Sequence, residues 1–286
     1  MKHAKQLFAN TKQLIAENGD QDITPILWEL ICYAPKMSPR LNQQQLLDDA
    51  KKFTLSVFDP HFANANLNFN GFIWGDGSRK ILLTHGWGSK AADFTELITE
   101  LRQLPDVQII AFDAPGNGSS EGYLSNMLLF IKAVDAVIAA FGKPDIVIGH
   151  SLGAISNVAA LGAAGIKPEL VISLAPMMRL KENFAATMDA VGVSATAKKL
   201  FFEDFKDRFG NDIATINWEQ LYKFEADVPH WIAYNPNDAM VPDAYLQEFL
   251  ASRPYITAKA FDAPHERMMR DAEVIRDVVG LVGNKS

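Results

Sequence analysis

The stretch Gly149-His150-Ser151-Leu152-Gly153 decides how the chain is read. Asp145-Ile146-Val147-Ile148 precedes it, a short aliphatic run of the kind that forms a fully buried strand. Ala154-Ile155-Ser156-Asn157-Val158-Ala159-Ala160-Leu161 follows, with helical composition that ends near Gly162 and Gly165. The order is strand, G-x-S-x-G, helix. A serine in that setting sits on a turn so sharp that its backbone is strained and its hydroxyl stands clear of the sheet. Glycines two positions either side remove side chains that would collide with the neighbouring strand and helix. The serine also lies at a helix N-terminus, where unpaired N–H groups stabilise negative charge. A bare G-x-S-x-G equally fits a tight turn feeding a core helix, so the rest of the chain has to decide.

Working outward, the composition bounds the answer. The chain has 286 residues, 48% hydrophobic and 21% charged, which suits a globular protein with one large core or a domain carrying an insertion. The net charge of −7 argues against a nucleic-acid partner, which would call for a basic face. Cys32 is the only cysteine, so no internal disulfide forms, and its setting in Ile31-Cys32-Tyr33 predicts a buried, inert thiol. The start, Met1-Lys2-His3-Ala4-Lys5, is basic, but Asn10, Lys12 and Gln13 interrupt the apolar region a signal peptide needs. No stretch approaches the roughly 20 apolar residues of a membrane span. A cytoplasmic location without an integral membrane segment is the expectation. Association of copies of the chain is left open.

Residues 1–52 read as a helical extension packed on the core. Leu7, Phe8, Leu14 and Ile15 fall at helical spacing, with a stop at Asn18-Gly19-Asp20. Thr24-Pro25 reads as an N-cap and first-turn pair for a second helix, and a third is expected over 41–52. Phe53–Phe58 alternates apolar and polar, and Leu67–Trp74 is its antiparallel partner across a turn at Asp59-Pro60. From Lys80 the rhythm becomes strand, loop, helix. Strands are predicted over Lys80–Thr84, Gln108–Phe112, Asp145–Ile148, Leu170–Leu174, His230–Tyr234 and Tyr255–Ala258, with His230 at the start of the fifth and so at the opposite rim. Helices are expected over 91–104, through Phe130 and Val137, over Ala244–Leu250, and from Glu266 to Leu281. This alternation implies a parallel sheet with helices on both faces and a site beyond the strands' carboxyl ends. Residues 177–228 break the rhythm with Met, Phe and Trp among many charges, and read as two to four short helices forming a lid.

A serine nucleophile needs a histidine to take its proton and a carboxylate to orient that histidine. Asp238 lies in Asn235-Pro236-Asn237-Asp238-Ala239, the loop leaving the strand Trp231–Tyr234, at the correct rim. Asp243 beside a helix start and Asp113 before the serine are its rivals. His265 follows the last strand and is the only histidine after Asp238. His150 adjoins the serine and is expected to point away from it. The oxyanion donors are expected to be the N–H groups of Leu152, after the serine, and of Trp87, in the loop Gly86-Trp87-Gly88. His85, Met177 and Met178 are expected to contact substrate.

With His85-Gly86-Trp87-Gly88, Asp113-Ala114-Pro115-Gly116 through Gly118-Ser119, Gly149–Gly153, Asp238 with Val241-Pro242, and His265 in that order, the sequence resembles the α/β-hydrolase fold family over roughly residues 53–286. Asn235-Pro236-Asn237 departs from the Gly- or His-rich approach to the acid seen in many members. The resemblance implies an α/β fold: a mostly parallel central sheet with helices on both faces, with core segments 53–176 and 229–286, a helical lid insertion over 177–228 and an N-terminal helical extension. A serine at the elbow excludes the dehalogenase and epoxide-hydrolase branches, which carry an aspartate there. What the resemblance implies is cleavage of a carboxylic ester of an acyl or aromatic small molecule through an acyl-serine, with no metal or organic cofactor. A thioesterase, a C–C bond hydrolase, an acyltransferase and a non-catalytic binding protein on the same scaffold are the alternatives.

Overall fold

The computed structural model of the chain describes residues 2–18 and 23–284. Helix α1 (Lys2–Asn18) packs on α2 (Thr24–Cys32), and the predicted stop at Gly19-Asp20 lies outside the described residues. Ile23, and not Thr24, occupies the N-cap position of α2, so Pro25 falls in its first turn, where its missing N–H costs no hydrogen bond. Leu27, Trp28, Ile31 and Cys32 form its buried stripe. Helix α3 (Leu41–Asp48) is shorter than the expected 41–52, because Lys51 already pairs with Ile73 in the sheet.

Strands β1 (Lys51–Asp59) and β2 (Ala65–Trp74) form an antiparallel hairpin in register from Lys51 opposite Ile73 to Asp59 opposite Ala65. The Asp59 carboxylate closes the turn by accepting the N–H groups of His61, Phe62 and Ala63. The alternating units then follow: β3 (Arg79–Thr84), a 3-10 turn Ala91–Phe94 continuing as α4 (Thr95–Leu101), β4 (Val107–Phe112), α5 (Met127–Phe141), β5 (Ile146–His150), α6 (Leu152–Ala164) and β6 (Leu170–Leu174). The next segment holds α7 (Leu180–Ala190), α8 (Ala195–Phe209), a 3-10 turn Ile213–Thr215 and α9 (Trp218–Leu221). The chain returns to the sheet with β7 (His230–Tyr234), α10 (Asp243–Ala251) and β8 (Thr257–Ala260). The last predicted helix is divided into a 3-10 turn His265–Arg270 and α11 (Ala272–Gly283). The break is chemical: the Asp271 carboxylate caps α11 by accepting the N–H groups of Glu273 and Val274.

The eight strands make one sheet in the order β1-β2-β4-β3-β5-β6-β7-β8. Strand β2 runs against the other described strands, pairing antiparallel with β1 and β4, and every pairing from β4 across to β8 is parallel. Successive side chains along a strand point to opposite faces, and the buried residues sort accordingly. Leu82, Ile110, Val147, Val171 and Ile232 share one core with α2, α5, α6 and the helices of residues 180–221. Ile81, Ile109, Ile146, Ile148 and Trp231 share the other with α3, α4 and α11. Strands covered on both faces need unbroken aliphatic runs, which is why these segments read so clearly. Among the described residues no helix is long and apolar enough to cross a membrane.

Helix α2 meets the helices between β6 and β7 directly. Trp28 of α2 lies with its ring centroid 4.5 Å from that of Phe201 and 5.9 Å from that of Phe205, both on α8. Its Nε1–H donates to Asp204 at 2.6 Å. Aromatic burial with a satisfied indole N–H is a packing contact that fixes α8 against α2.

Candidate active site

The turn between β5 and α6 carries Ser151 at φ 50°, ψ −116°, a conformation that L-residues rarely adopt. The flanking glycines make it sterically feasible. A Cβ on Gly149 would lie 2.4 Å from Ala154 Cα, and one on Gly153 would lie 2.2 Å from the Thr84 carbonyl oxygen. Three backbone hydrogen bonds hold the turn: Ser151 N–H donates to Leu174 O at 3.0 Å, and its carbonyl accepts from Ala154 (3.1 Å) and Met177 (3.3 Å). The strained turn is thus held by the end of β6, the loop that follows it and the first turn of α6.

The structure brings Ser151, His265 and Asp238 together. Ser151 Oγ lies 2.9 Å from His265 Nε2, and His265 Nδ1 lies 2.7 Å from Asp238 Oδ2. With Nδ1–H donating to the carboxylate, Nε2 is left as the acceptor for the serine hydroxyl. The second Asp238 oxygen accepts the N–H groups of Met240 (2.8 Å) and Val241 (3.3 Å). Burial tends to raise the Asp238 pKa, but the hydrogen bond and charge of His265 and these two N–H donors hold it below the ordinary carboxylate value. The side chains of Asp238 and His265 are largely enclosed, while Ser151 is half-buried.

The rival acids are engaged elsewhere. Asp113 accepts from Ala91 N–H (2.8 Å) and from the N–H and hydroxyl of Ser119, which organises the loop after β4. Asp243 accepts from Gln247 one turn along α10.

In the loop after β3, the Gly88 N–H donates to Asn117 Oδ1 at 3.0 Å and the Ser89 N–H to Gly86 O at 3.3 Å. Among the described residues the Trp87 and Leu152 N–H groups take part in no hydrogen bond. Asn117 in turn donates to Pro115 O and Ser125 Oγ, so it is locked in place.

His85 is fully buried, and its ring serves the loop. Nε2 accepts the Ala114 N–H at 2.9 Å, which puts the proton on Nδ1, 2.7 Å from Gly86 O. Burial lowers its pKa, keeping it neutral. Met177 and Met178 are also buried, with Trp218 donating from Nε1 to Met177 O and from its backbone N–H to Met178 O. Both line a cleft of 170 Å³ shared with Val241 and Tyr245, next to the Asp238 loop.

Two residues escaped the sequence reading. The His150 ring, beside Ser151 in sequence, reaches the loop that carries His265. Its Nε2–H donates to the His265 carbonyl at 2.9 Å, and the two rings lie 5.1 Å apart. Burial, then the neighbouring His265, pushes the His150 pKa down to about 3, so the ring is neutral. Asn235 ties the acid loop to the histidine loop by donating to Ala263 O at 3.0 Å while accepting from Asn237 N–H. The departure at Asn235-Pro236-Asn237 is therefore turn chemistry, legible in principle from its Asn-Pro-Asn-Asp composition.

The comparisons agree with this architecture. The sequence pattern of the alpha/beta hydrolase family matches residues 81–280. Similar solved structures include an esterase of Pyrococcus furiosus, 18% identical with a TM-score of 0.61 over 89% of this chain and 96% of that one. A monoacylglycerol lipase of Paleococcus ferrophilus is 21% identical with a TM-score of 0.58 over 76% of this chain and 99% of that one. A thioesterase domain from the curacin biosynthetic pathway is 13% identical with a TM-score of 0.53, over 82% of this chain and 98% of that one. Identities this low speak for the shared fold alone. No curated protein sequence matches the chain. The eight-stranded, mostly parallel sheet and the family pattern over residues 81–280 lead to one conclusion: the chain belongs to the alpha/beta hydrolase family.

Proposed function

We propose that the chain is a serine hydrolase that cleaves carboxylic esters of small acyl or aromatic molecules through an acyl-serine intermediate. The observation that carries the reading is the continuous hydrogen-bonded line Asp238–His265–Ser151, at 2.7 and 2.9 Å. Ser151 Oγ attacks the carbonyl carbon while its proton passes to His265 Nε2. The negative oxygen that forms is held by the N–H groups of Leu152 and Trp87, which have no competing acceptor among the described residues. Collapse of the tetrahedral species breaks the C–O bond, and the imidazolium gives its proton to the leaving alcohol. Water then repeats the sequence, with His265 as base, and releases the acid. Asp238, kept ionised by its donors, fixes the tautomer throughout.

The insertion over 177–228 is read as a lid, with Met177 and Met178 against the acyl or alcohol part of the substrate. The ester reading is in keeping with the esterase and monoacylglycerol lipase among the similar structures. The test is hydrolysis of p-nitrophenyl esters of graded chain length beside acyl-CoA thioesters. Ester turnover that disappears in Ser151→Ala supports the reading. Turnover that survives in that variant contradicts it, and turnover of thioesters alone replaces the ester by a thioester.

A further inference from the structure

The loop after β3 has little to stiffen it from within. It carries Gly86 and Gly88, the second at φ 63° in the left-handed region, and the Ser89 N–H closes it on Gly86 O at a long 3.3 Å. At Gly86 the loop lies against the serine turn, since a Cβ there would come within 3.1 Å of Ser151 Cβ. A donor aimed at a developing oxyanion is effective only when it is fixed beforehand. The order of a glycine-rich loop has to come from contacts outside it.

Residues 32–43, which precede the 81–280 span of the family pattern, supply such contacts at both ends of the loop. A Cβ on Gly88 would lie 3.5 Å from Pro35 Cδ and 3.8 Å from Pro35 Cγ, and apart from its chain neighbours no other described residue comes within 4 Å of that point. The Pro35 ring therefore stands over the open side of Gly88. Just before it, Cys32 O accepts the Ser125 N–H at 2.8 Å, and Tyr33 pairs with Leu124 in an antiparallel bridge. Ser125 Oγ accepts from Asn117 Nδ2 at 3.1 Å, and Asn117 Oδ1 holds the Gly88 N–H. The segment thus reaches Gly88 twice, directly and through Ser125 and Asn117. Beyond the loop, Asp93 Oδ1 accepts from Gln43 Nε2 at 3.0 Å while Oδ2 accepts from Ser89 Oγ at 2.7 Å. Gln43 and Asp93 are both buried, where a hydrogen bond to a carboxylate is worth more than at the surface. Lys90 and Arg270 also donate to Oδ1 and offset its charge, so the Gln43 amide serves to direct the carboxylate.

We propose that residues 32–43 are a positioning element for the loop that carries the Trp87 N–H, with Pro35 fixing Gly88 and with Gln43 fixing Asp93 and, through it, Ser89. This rests on the hydrolase reading and adds to it: one of the two donors for the negative oxygen is kept in place by residues ahead of the family's span. Pro35 and Gln43 act through other residues. Their loss lowers the rate of acylation, and leaves the affinity for the acylating reagent and the titration of His265 as they were.

The test is the rate of Ser151 labelling by a fluorophosphonate in the full chain, resolved into kinact and KI and repeated from pH 5.5 to 8.5. Pro35→Ala removes the ring atoms that face Gly88. Gln43→Glu keeps an acceptor for the Arg40 N–H, which caps α3, and removes the donor to Asp93. Each should lower kinact about threefold or more, with KI and the pH of half-maximal rate unchanged. Met37→Ala, at an exposed position of the same segment, should leave all three values unchanged. If Gln43→Glu fails to fold, Gln43→Met takes its place. An undiminished kinact in either folded variant, even with a lower urea midpoint, would reduce these contacts to packing and overturn the proposal. So would a loss carried by KI, a displaced pH profile, which would put the effect on His265, or an equal loss in Met37→Ala. A wild-type chain that takes up no label would overturn the hydrolase reading and this proposal together, whereas a labelled wild type with unaffected variants would overturn this proposal alone.

Discussion

His150 Nε2–H donates to the backbone carbonyl of His265 at 2.9 Å, so the residue next to Ser151 braces the residue proposed to activate it. The ring also stands against the loop after β3, since a Cβ on Gly86 would lie 2.7 Å from His150 Nδ1. His150→Ala should cut kcat about fivefold to tenfold, the worth of one hydrogen bond of about 1 kcal/mol, with KM little changed. His150→Gln, which can restore a donor, should recover part of the loss. A purely structural role would instead lower the unfolding midpoint in both variants without separating kcat from KM.

Asn117 holds the Gly88 N–H, and through it the shape of the loop that leaves the Trp87 N–H unengaged. Asn117→Ala should slow ester turnover about tenfold. The check is the rate of inactivation by a fluorophosphonate, which needs the same oxyanion donors. Unchanged inactivation in a folded variant would separate Asn117 from the site.

The two glycines of the turn differ from a glycine in open space. Gly149→Ala and Gly153→Ala place a Cβ at 2.4 and 2.2 Å from backbone atoms, which cannot rotate away. Each should cost about 2–4 kcal/mol in urea unfolding. Gly280→Ala, inside α11 with nothing within 4 Å of the added methyl, should stabilise by about 0.5–1 kcal/mol. Equal effects at the three positions would remove the steric account of the elbow.

Stability should fall as the solution is acidified below pH 6.5. Burial pushes His150 and His230 down to about 3, from an ordinary 6.5. Between those values the unfolded chain binds protons that the folded chain refuses. Their contribution is therefore complete above pH 6.5 and declines as pH drops toward 3. Each histidine adds a slope of up to about 1.4 kcal/mol per pH unit. Urea unfolding at pH 7.5, 6.5 and 5.5 reads it, and a flat profile would show that these rings are protonated in the folded protein.

How much of this was legible in the sequence depends on where each partner sits. Strands β3 to β7 were readable to within one or two residues, because burial on both faces demands continuous aliphatic runs. Ser151, Asp238 and His265 could be placed at one rim because each follows a strand in a parallel sheet, and the rim fixes proximity without any knowledge of side chains. Side-chain direction was not readable. His85 follows a strand as His265 does, yet it turns inward to accept the Ala114 N–H, a choice set by a loop 29 residues away. The work of His150, Asn117 and Asn235 likewise depends on distant carbonyls and N–H groups. The divided last helix was missed because Asp271 caps it from within an otherwise helical pattern.

The central claim is that Ser151 is a nucleophile made reactive by His265 and Asp238. Treatment of the folded protein with a fluorophosphonate, followed by mass spectrometry of its peptides, tests it most directly. The account predicts a single adduct on Ser151, absent in Ser151→Ala and slowed by at least about a hundredfold in His265→Ala and Asp238→Asn. A folded chain that takes up no label, or one labelled at an undiminished rate without His265, would contradict it.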